Sequence, residues 1–175
     1  RRSIRKYNNE PVTDEQVDAI LRAAFRAPTS SNIQSYSVIT VRNPETKQKL
    51  SVPTGNQKHI IDCPVFMAFC ADLTRLEHVL QGHGHTLGDN NMEIGLVSSI
   101  DASLVGMSAY LAAESLGIKG VMIGAVRNDA VKIAEILGLP KFVYCVFGMC
   151  LGYPDELPAQ KPRMQQDLVV HRERF

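Results

Sequence analysis

The chain has no excess of charge of either sign: 19 Lys and Arg stand against 18 Asp and Glu, a formal net charge of +1. Without a global positive field nothing draws it to DNA, RNA or an anionic membrane surface, so no nucleic-acid partner is expected. No stretch reads as the roughly 18 to 20 apolar residues of a membrane span, and no charged-then-apolar leader precedes a cleavage site. The expectation is therefore a cytoplasmic protein with no membrane partner. Cysteine is scarce, and Cys63, Cys70, Cys145 and Cys150 form no CxxC pair. They sit in apolar runs, which suits reduced, buried thiols rather than a disulfide framework. Signatures of several chemistries are missing as well. The stretch Gly117 to Gly124 fits neither GxGxxG nor GxxxxGK[ST], which removes the main support for Rossmann-type dinucleotide binding. There is no GxSxG elbow, and no cysteine has an evident histidine and acid partner, so no hydrolytic nucleophile is visible. His83 and His85, with His78, make the only histidine cluster, and no cysteine or carboxylate at ligand spacing supports it. No metal site is expected.

What is present is an ordinary globular composition over 175 residues, 45% hydrophobic and 21% charged. A chain of this length buries about 70% of its unfolded surface and needs no disulfide or metal staple. Thr13 and Gln16 are spaced as a capping box, so a helix starts near Thr13, carries Val17, Ile20, Leu21 and Ala24 on one stripe, and stops before Pro28. Ser35 to Val41 reads as a strand, Glu45 to Leu50 as a short polar helix, and Val65 to Ala71 as a strand covered on both faces. Thr74 to Asn91 is polar, with three glycines and three histidines, and reads as a surface connection. Ile100, Leu104, Met107, Leu111 and Leu116 mark a long helix, apolar nearly all round, closed at Gly117 and destined for the core or a subunit interface. Gly120 to Ala125 reads as a short strand or extended turn, Asp129 to Leu137 as a helix closed by Gly138, and Phe142 to Leu151 as the longest strand. Four strands interleaved with about four helices predict an α/β or α+β fold, a sheet covered by helices.

Candidate chemistry lies in the loops. Arg1, Arg2, Ser3 and Arg5 concentrate three guanidiniums and a hydroxyl; in an extended segment Arg1, Ser3 and Arg5 share one side. Planar guanidinium forks suit a phosphate, although a solvated basic terminus has the same composition. Lys161 and Arg163, held by Pro162, could aim two cations at one anion or line an exposed linker. The two clusters gain meaning only if they converge. Thr29 and Gln34, and Gln57, Lys58 and His59, offer amides, a hydroxyl and an imidazole that could read a heterocycle's edge, or be ordinary loop polarity. Methionines such as Met107 and Met122 are common core filler.

In order along the chain, Arg1-Arg2-Ser3-Ile4-Arg5, Ala27-Pro28-Thr29-Ser30-Ser31-Asn32-Ile33-Gln34, Gly55-Asn56-Gln57-Lys58-His59, Gly120 to Asn128, Leu151-Gly152-Tyr153-Pro154 and Lys161-Pro162-Arg163 resemble the nitroreductase family. The nearest branch is the oxygen-insensitive NADPH nitroreductases and FMN-dependent NADPH:flavin oxidoreductases. The resemblance covers essentially the whole chain and implies one FMN-binding domain over residues 1–175, lacking the C-terminal dimer-wrapping extension usual in the family. It implies an α+β sandwich with a central mixed, mostly antiparallel sheet, assembled as an intertwined homodimer with flavins at the subunit interface. By position, Arg1, Arg2, Ser3 and Arg5 match the phosphate- and flavin-anchoring segment, and Lys161 and Arg163 match a later basic pair at the same phosphate. Thr29 and Gln34 match residues near the isoalloxazine, Gln57, Lys58 and His59 match a flavin-contacting loop, and Met122, Ile123, Gly124 and Ala125 match the turn beside the ring.

That turn often reads Tyr-Ile-Gly-Gly; Met122 offers no hydroxyl, and Ala125 is tolerated unless its backbone needs positive φ. The implied activity is hydride transfer from NADPH or NADH, by a ping-pong mechanism, to small planar acceptors: nitroaromatics, quinones or free flavin. No side chain is expected to act as acid, base or nucleophile, because the flavin carries the chemistry, with Arg5 and Gln57 as candidates to stabilise its reduced form. The alternative is a flavin-binding or ligand-sensing relative without turnover.

Overall fold

The computed structural model describes residues 2–88 and 92–175; Arg1 lies outside the described residues. The first helix, α1 (Asp14–Ala24), begins at the expected capping box: Thr13 Oγ1 accepts from Gln16 N, and Gln16 Oε1 accepts from Thr13 N. Strand β1 (Tyr36–Val41) leads through an Asn43 cap into α2 (Pro44–Ser51), followed by the single-turn α3 (Lys58–Asp62) and β2 (Val65–Asp72). Then come α4 (Thr74–Gly82), α5 (Met92–Ser115), β3 (Lys119–Ile123), α6 (Ala130–Leu137) and β4 (Val143–Gly152). Asp129 caps α6 through Lys132 N, and Gly138 closes it with φ 64° in the left-handed conformation glycine tolerates.

The four strands form one sheet in the order β1-β2-β4-β3, with helices on both faces, the expected α+β arrangement. Where a mixed sheet was expected, all three pairings are antiparallel. The long excursion through α4 and α5 between β2 and β3, and the return through α6, let each strand enter beside its neighbour from the opposite end. A β-bulge falls between Phe69 and Cys70, where β4 supplies the extra residue Val146.

The pleat of β2 explains its unbroken apolar sequence. Val65, Met67 and Phe69 face one buried layer with Val17 and Ile20 of α1 and Val105, Ala109 and Tyr110 of α5. Phe66, Ala68 and Cys70 face the other, with Leu50 of α2, Ile60 of α3, Val121 of β3 and Ile133 of α6. All eight residues of β2 are buried. Such two-sided cover was the expectation from its composition.

Two sequence expectations are corrected. Thr74 to Gly82 is a helix rather than an irregular connection; it buries no residue, Gln81 Nε2 donates to Glu77 Oε1 at 2.7 Å within it, and Arg75 donates to Gln34 O at 3.0 Å outside it. Helix α5 starts at Met92 rather than near Ile100. Gly95, Ser98 and Ser99 look like breakers, but the two serine hydroxyls donate back to the carbonyls of Ile94 and Gly95. The lengthened helix is long and apolar enough by length and composition to cross a membrane, contrary to the expectation that no stretch qualifies. Here it is the core helix, packed on β2 and α1.

Candidate functional site

Residues 2–8 run along the sheet end and are fixed at Arg2 and from Ile4 to Asn8. Ile4 is buried, and its N–H donates to Gly120 O of β3 at 3.0 Å. Asn8 N donates to Tyr153 O, and Tyr7 bridges Pro154. Asp155 N donates to Lys6 O, and the Glu156 carboxylate accepts from Arg5 N at 2.6 Å and Lys6 N at 3.2 Å. The Tyr110 hydroxyl, on α5, reaches Arg2 O at 3.2 Å and Glu114 Oε1 at 3.0 Å. With Ile4 turned into the core, Ser3 and Arg5 turn outward together, as the period of an extended chain requires.

The two basic clusters converge. Arg2, Ser3 and Arg5 from the first segment and Lys161 and Arg163 from the last line one cavity of about 90 Å³. Among the described residues none of these four cations has a carboxylate within ion-pair distance. Glu156, which lines the neighbouring hollow, spends its bonds on the backbone amides of Arg5 and Lys6 instead. Arg163 Nη1 donates to the Lys161 and Pro162 carbonyls at 3.3 and 3.1 Å, which folds the second arm on itself.

A larger hollow of about 780 Å³ adjoins the cavity, sharing Ser3 and Arg5 and adding Lys58, His59, Asp62 and Glu156. Lys58 Nζ lies 2.6 Å from Asp62 Oδ2. His59 is uncharged at neutral pH: burial and then the Arg5 charge push its pKa below the usual histidine value, against the pull of Asp62 and Glu156. Its Nε2 is buried and has no hydrogen-bond partner among the described residues. Such an atom costs free energy until something bonds to it. Tyr7 stays protonated, its pKa pushed up chiefly by burial, and donates to Ile4 O at 2.9 Å.

Most of this chain aligns with one known family. Residues 1–153 match the sequence pattern of the nitroreductase family. The chain belongs to it. An FMN reductase [NAD(P)H] of Bacillus subtilis is 43% identical over 99% of this nitroreductase and 71% of its own length. An oxygen-insensitive NADPH nitroreductase of Salmonella typhimurium is 39% identical, again over 99% and 71%. The solved structure of NfrA2 of B. megaterium superimposes with a TM-score of 0.97 at 40% identity, covering all of this chain and 72% of the other.

The remaining residues singled out from the sequence are not gathered by one nitroreductase chain. Gln57 donates through Nε2 to Thr54 O at 3.0 Å and lines neither cavity. Met122 packs into the layer beneath α5, while Ile123 and Ala125 pack into the opposite one, and Gly124 is exposed. Ala125 does not have positive φ, so its methyl group is no obstacle. Thr29 is half-buried at the head of a short 3-10 turn, Ser30 to Asn32. Gln34 lines a separate hollow with Phe25, Tyr36 and Arg75.

Sequence reasoning missed two acids that shape these loops. Asp101 of α5 is fully buried and accepts from Ser30 N, Ser35 N and Ser35 Oγ at 2.8 to 3.1 Å, pinning both ends of the loop that carries Gln34. The available signal was an acid in the middle of an apolar helix. Glu156 had no signal, because its role depends on a partner segment some 150 residues away.

Proposed function

We propose that this nitroreductase is an FMN-dependent oxidoreductase that passes hydride from NADPH or NADH to small planar acceptors: free flavin, quinones or nitroaromatics. One observation carries the reading. Arg2, Arg5, Lys161 and Arg163 converge on a cavity the size of a phosphate group, and among the described residues no carboxylate lies within ion-pair distance of them, a donor set suited to a dianionic phosphate ester. The printed names of the relatives, FMN reductase and NADPH nitroreductase, supply the reductant and acceptor classes. When bound, FMN supplies the redox centre, so the chain needs no nucleophile or proton-transfer residue of its own.

The chain's residues bind and orient. Arg2, Ser3, Arg5, Lys161 and Arg163 would hold the phosphate, with Arg1 continuing the same segment. Lys58 and the uncharged His59, whose unpartnered Nε2 suits a hydrogen-bonding ligand, would bond to the rest of the cofactor with Gln57. Thr29, Gln34 and the turn Met122, Ile123, Gly124 and Ala125 would flank the ring. One chain does not collect these residues, and a homodimer is proposed to do so. A single shared face makes NAD(P)H and acceptor alternate, so double-reciprocal plots should be parallel. The cytoplasm, where thiols stay reduced, is the proposed compartment.

Titration of FMN into the flavin-free protein tests the reading. Arg5→Ala with Arg163→Ala should weaken binding about a hundredfold, since each charged hydrogen bond contributes about 1.5 kcal/mol or more. Unchanged affinity in a folded double variant would overturn the phosphate assignment. FMN binding without NADPH oxidation would instead identify a ligand-sensing relative.

A further inference from the structure

The four cysteines, apart in sequence, meet as two pairs. Cys70 stands beside Cys145 and Cys63 beside Cys150, while Cys145 Sγ donates to Phe147 O at 3.6 Å and Cys63 Sγ to Ile60 O at 3.3 Å. All four are free and buried in the same apolar layer, between the sheet and helices α2, α3 and α6. Neither pair has a part in the proposed redox site.

The two pairs differ in how firmly the backbone sets them. Cys70 of β2 and Cys145 of β4 are direct cross-strand partners. Opposed residues of an antiparallel ladder have Cα atoms about 4.5 to 5.5 Å apart, inside the range of about 4.4 to 6.8 Å that a disulfide spans. Both side chains leave the same face of the sheet. Cys63 precedes β2, so no ladder fixes it against Cys150. The Cys70 and Cys145 pair also borders the bulge, where Arg127 donates to Val146 O and places a guanidinium whose charge favours the Cys145 thiolate.

We propose that Cys70 and Cys145 are an oxidisable dithiol that closes to an intramolecular disulfide between the two central strands when the protein meets a peroxide. Cys145, 5% exposed against 0% for Cys70, is the entry point. Its thiol gives a proton to solvent, and the thiolate attacks one peroxide oxygen, breaking the O–O bond to leave a sulfenic acid and hydroxide. The Cys70 thiol then loses its proton, attacks the sulfenic sulfur and expels the second hydroxide. The hydroxides take up the two protons. Two thiols and one hydrogen peroxide thus become one disulfide and two waters, the sulfur pair losing the two electrons that reduce the peroxide. The neighbouring Cys70 thiol and then burial push the Cys145 pKa up, so reaction waits on opening of the bulge, as befits a thiol pair reduced under ordinary conditions.

The test is to expose the purified full chain to hydrogen peroxide, remove the oxidant with catalase, alkylate in denaturant and map the peptides. Met164, 74% exposed, reports the oxidant dose by its conversion to sulfoxide. The expected result is a Cys70–Cys145 linked peptide, lighter by two hydrogens, that dithiothreitol returns to two alkylatable thiols. In Cys145→Ser, Cys70 should stay alkylatable at the same dose. Full alkylation of Cys70 and Cys145 in the parent protein at a dose that oxidises Met164 would overturn the proposal without recourse to any variant. Linkage of either residue to a different cysteine, within or between chains, would also overturn it.

Discussion

Asp72, at the end of β2, shows how one carboxylate orders a surface. Burial pushes its pKa up, but hydrogen bonds from Ser37 and Thr74 and the Arg75 guanidinium outweigh burial and hold the pKa below the ordinary value. Arg75 in turn donates to the carbonyls of Gln34 and Tyr36, tying α4 to the start of β1. A carboxylate with a depressed folded pKa contributes stability above its unfolded pKa of about 3.9 and loses it as pH falls through the folded value. The difference in unfolding free energy between the parent protein and Asp72→Asn should therefore be level from about pH 5 to 8 and shrink below about pH 4. Urea melts across that range check it, and a difference independent of pH would show that Asp72 acts by packing alone. At this scale the sequence was a partial guide. Arg2, Ser3, Arg5, Lys161 and Arg163 were recognisable by charge and spacing, whereas Asp101 and Glu156 were not, because a carboxylate that accepts from distant backbone amides leaves no local pattern.

Among the elements, those with end signals were legible. The Thr13 and Gln16 box, the Asp129 cap and the Gly138 stop mark α1 and α6, and the unbroken apolar run marks β2. Helices α3 and α4 were not, since neither has a side-chain N-cap hydrogen bond to mark its start. The placing of β3 depends on a residue whose purpose emerges only from pairing. A methyl group at Gly120 would sit 1.9 Å from the Cys150 carbonyl oxygen, a backbone atom that cannot rotate away. The same glycine's carbonyl receives Ile4 N. Gly120→Ala should force β3 from β4 and lower stability by about 3 kcal/mol, the upper end for overpacking. It should also loosen the segment carrying Ser3 and Arg5. An unshifted urea midpoint would show that the strands give way freely.

For the whole molecule, α5 presents two apolar faces. One carries Ala102, Val105, Ala109 and Tyr110 into the core, while Leu96, Ile100, Leu104, Met107 and Leu111 are 40 to 55% exposed along the other. A stripe of that length on a lone surface marks an interaction site, and the proposed homodimer would cover it. Leu104→Asp with Leu111→Asp should yield monomers by light scattering, with weakened flavin binding; a parent protein already monomeric at working concentrations would refute the dimer. The junction of residues 2–8 with 153–156 has a further consequence, for the order of events during synthesis. Arg5 and Glu156 are 151 positions apart, so during synthesis the earlier segment waits for the later one before it finds its partner. Ile4 can dock on Gly120 earlier, but the cavity has only one wall until Lys161 and Arg163 emerge. Contacts of such long range close late. A nascent chain halted after Gly152 would hold β1 to β4 and both apolar layers while offering an anion only Arg2, Ser3 and Arg5, so anion capture follows formation of the sheet rather than preceding it.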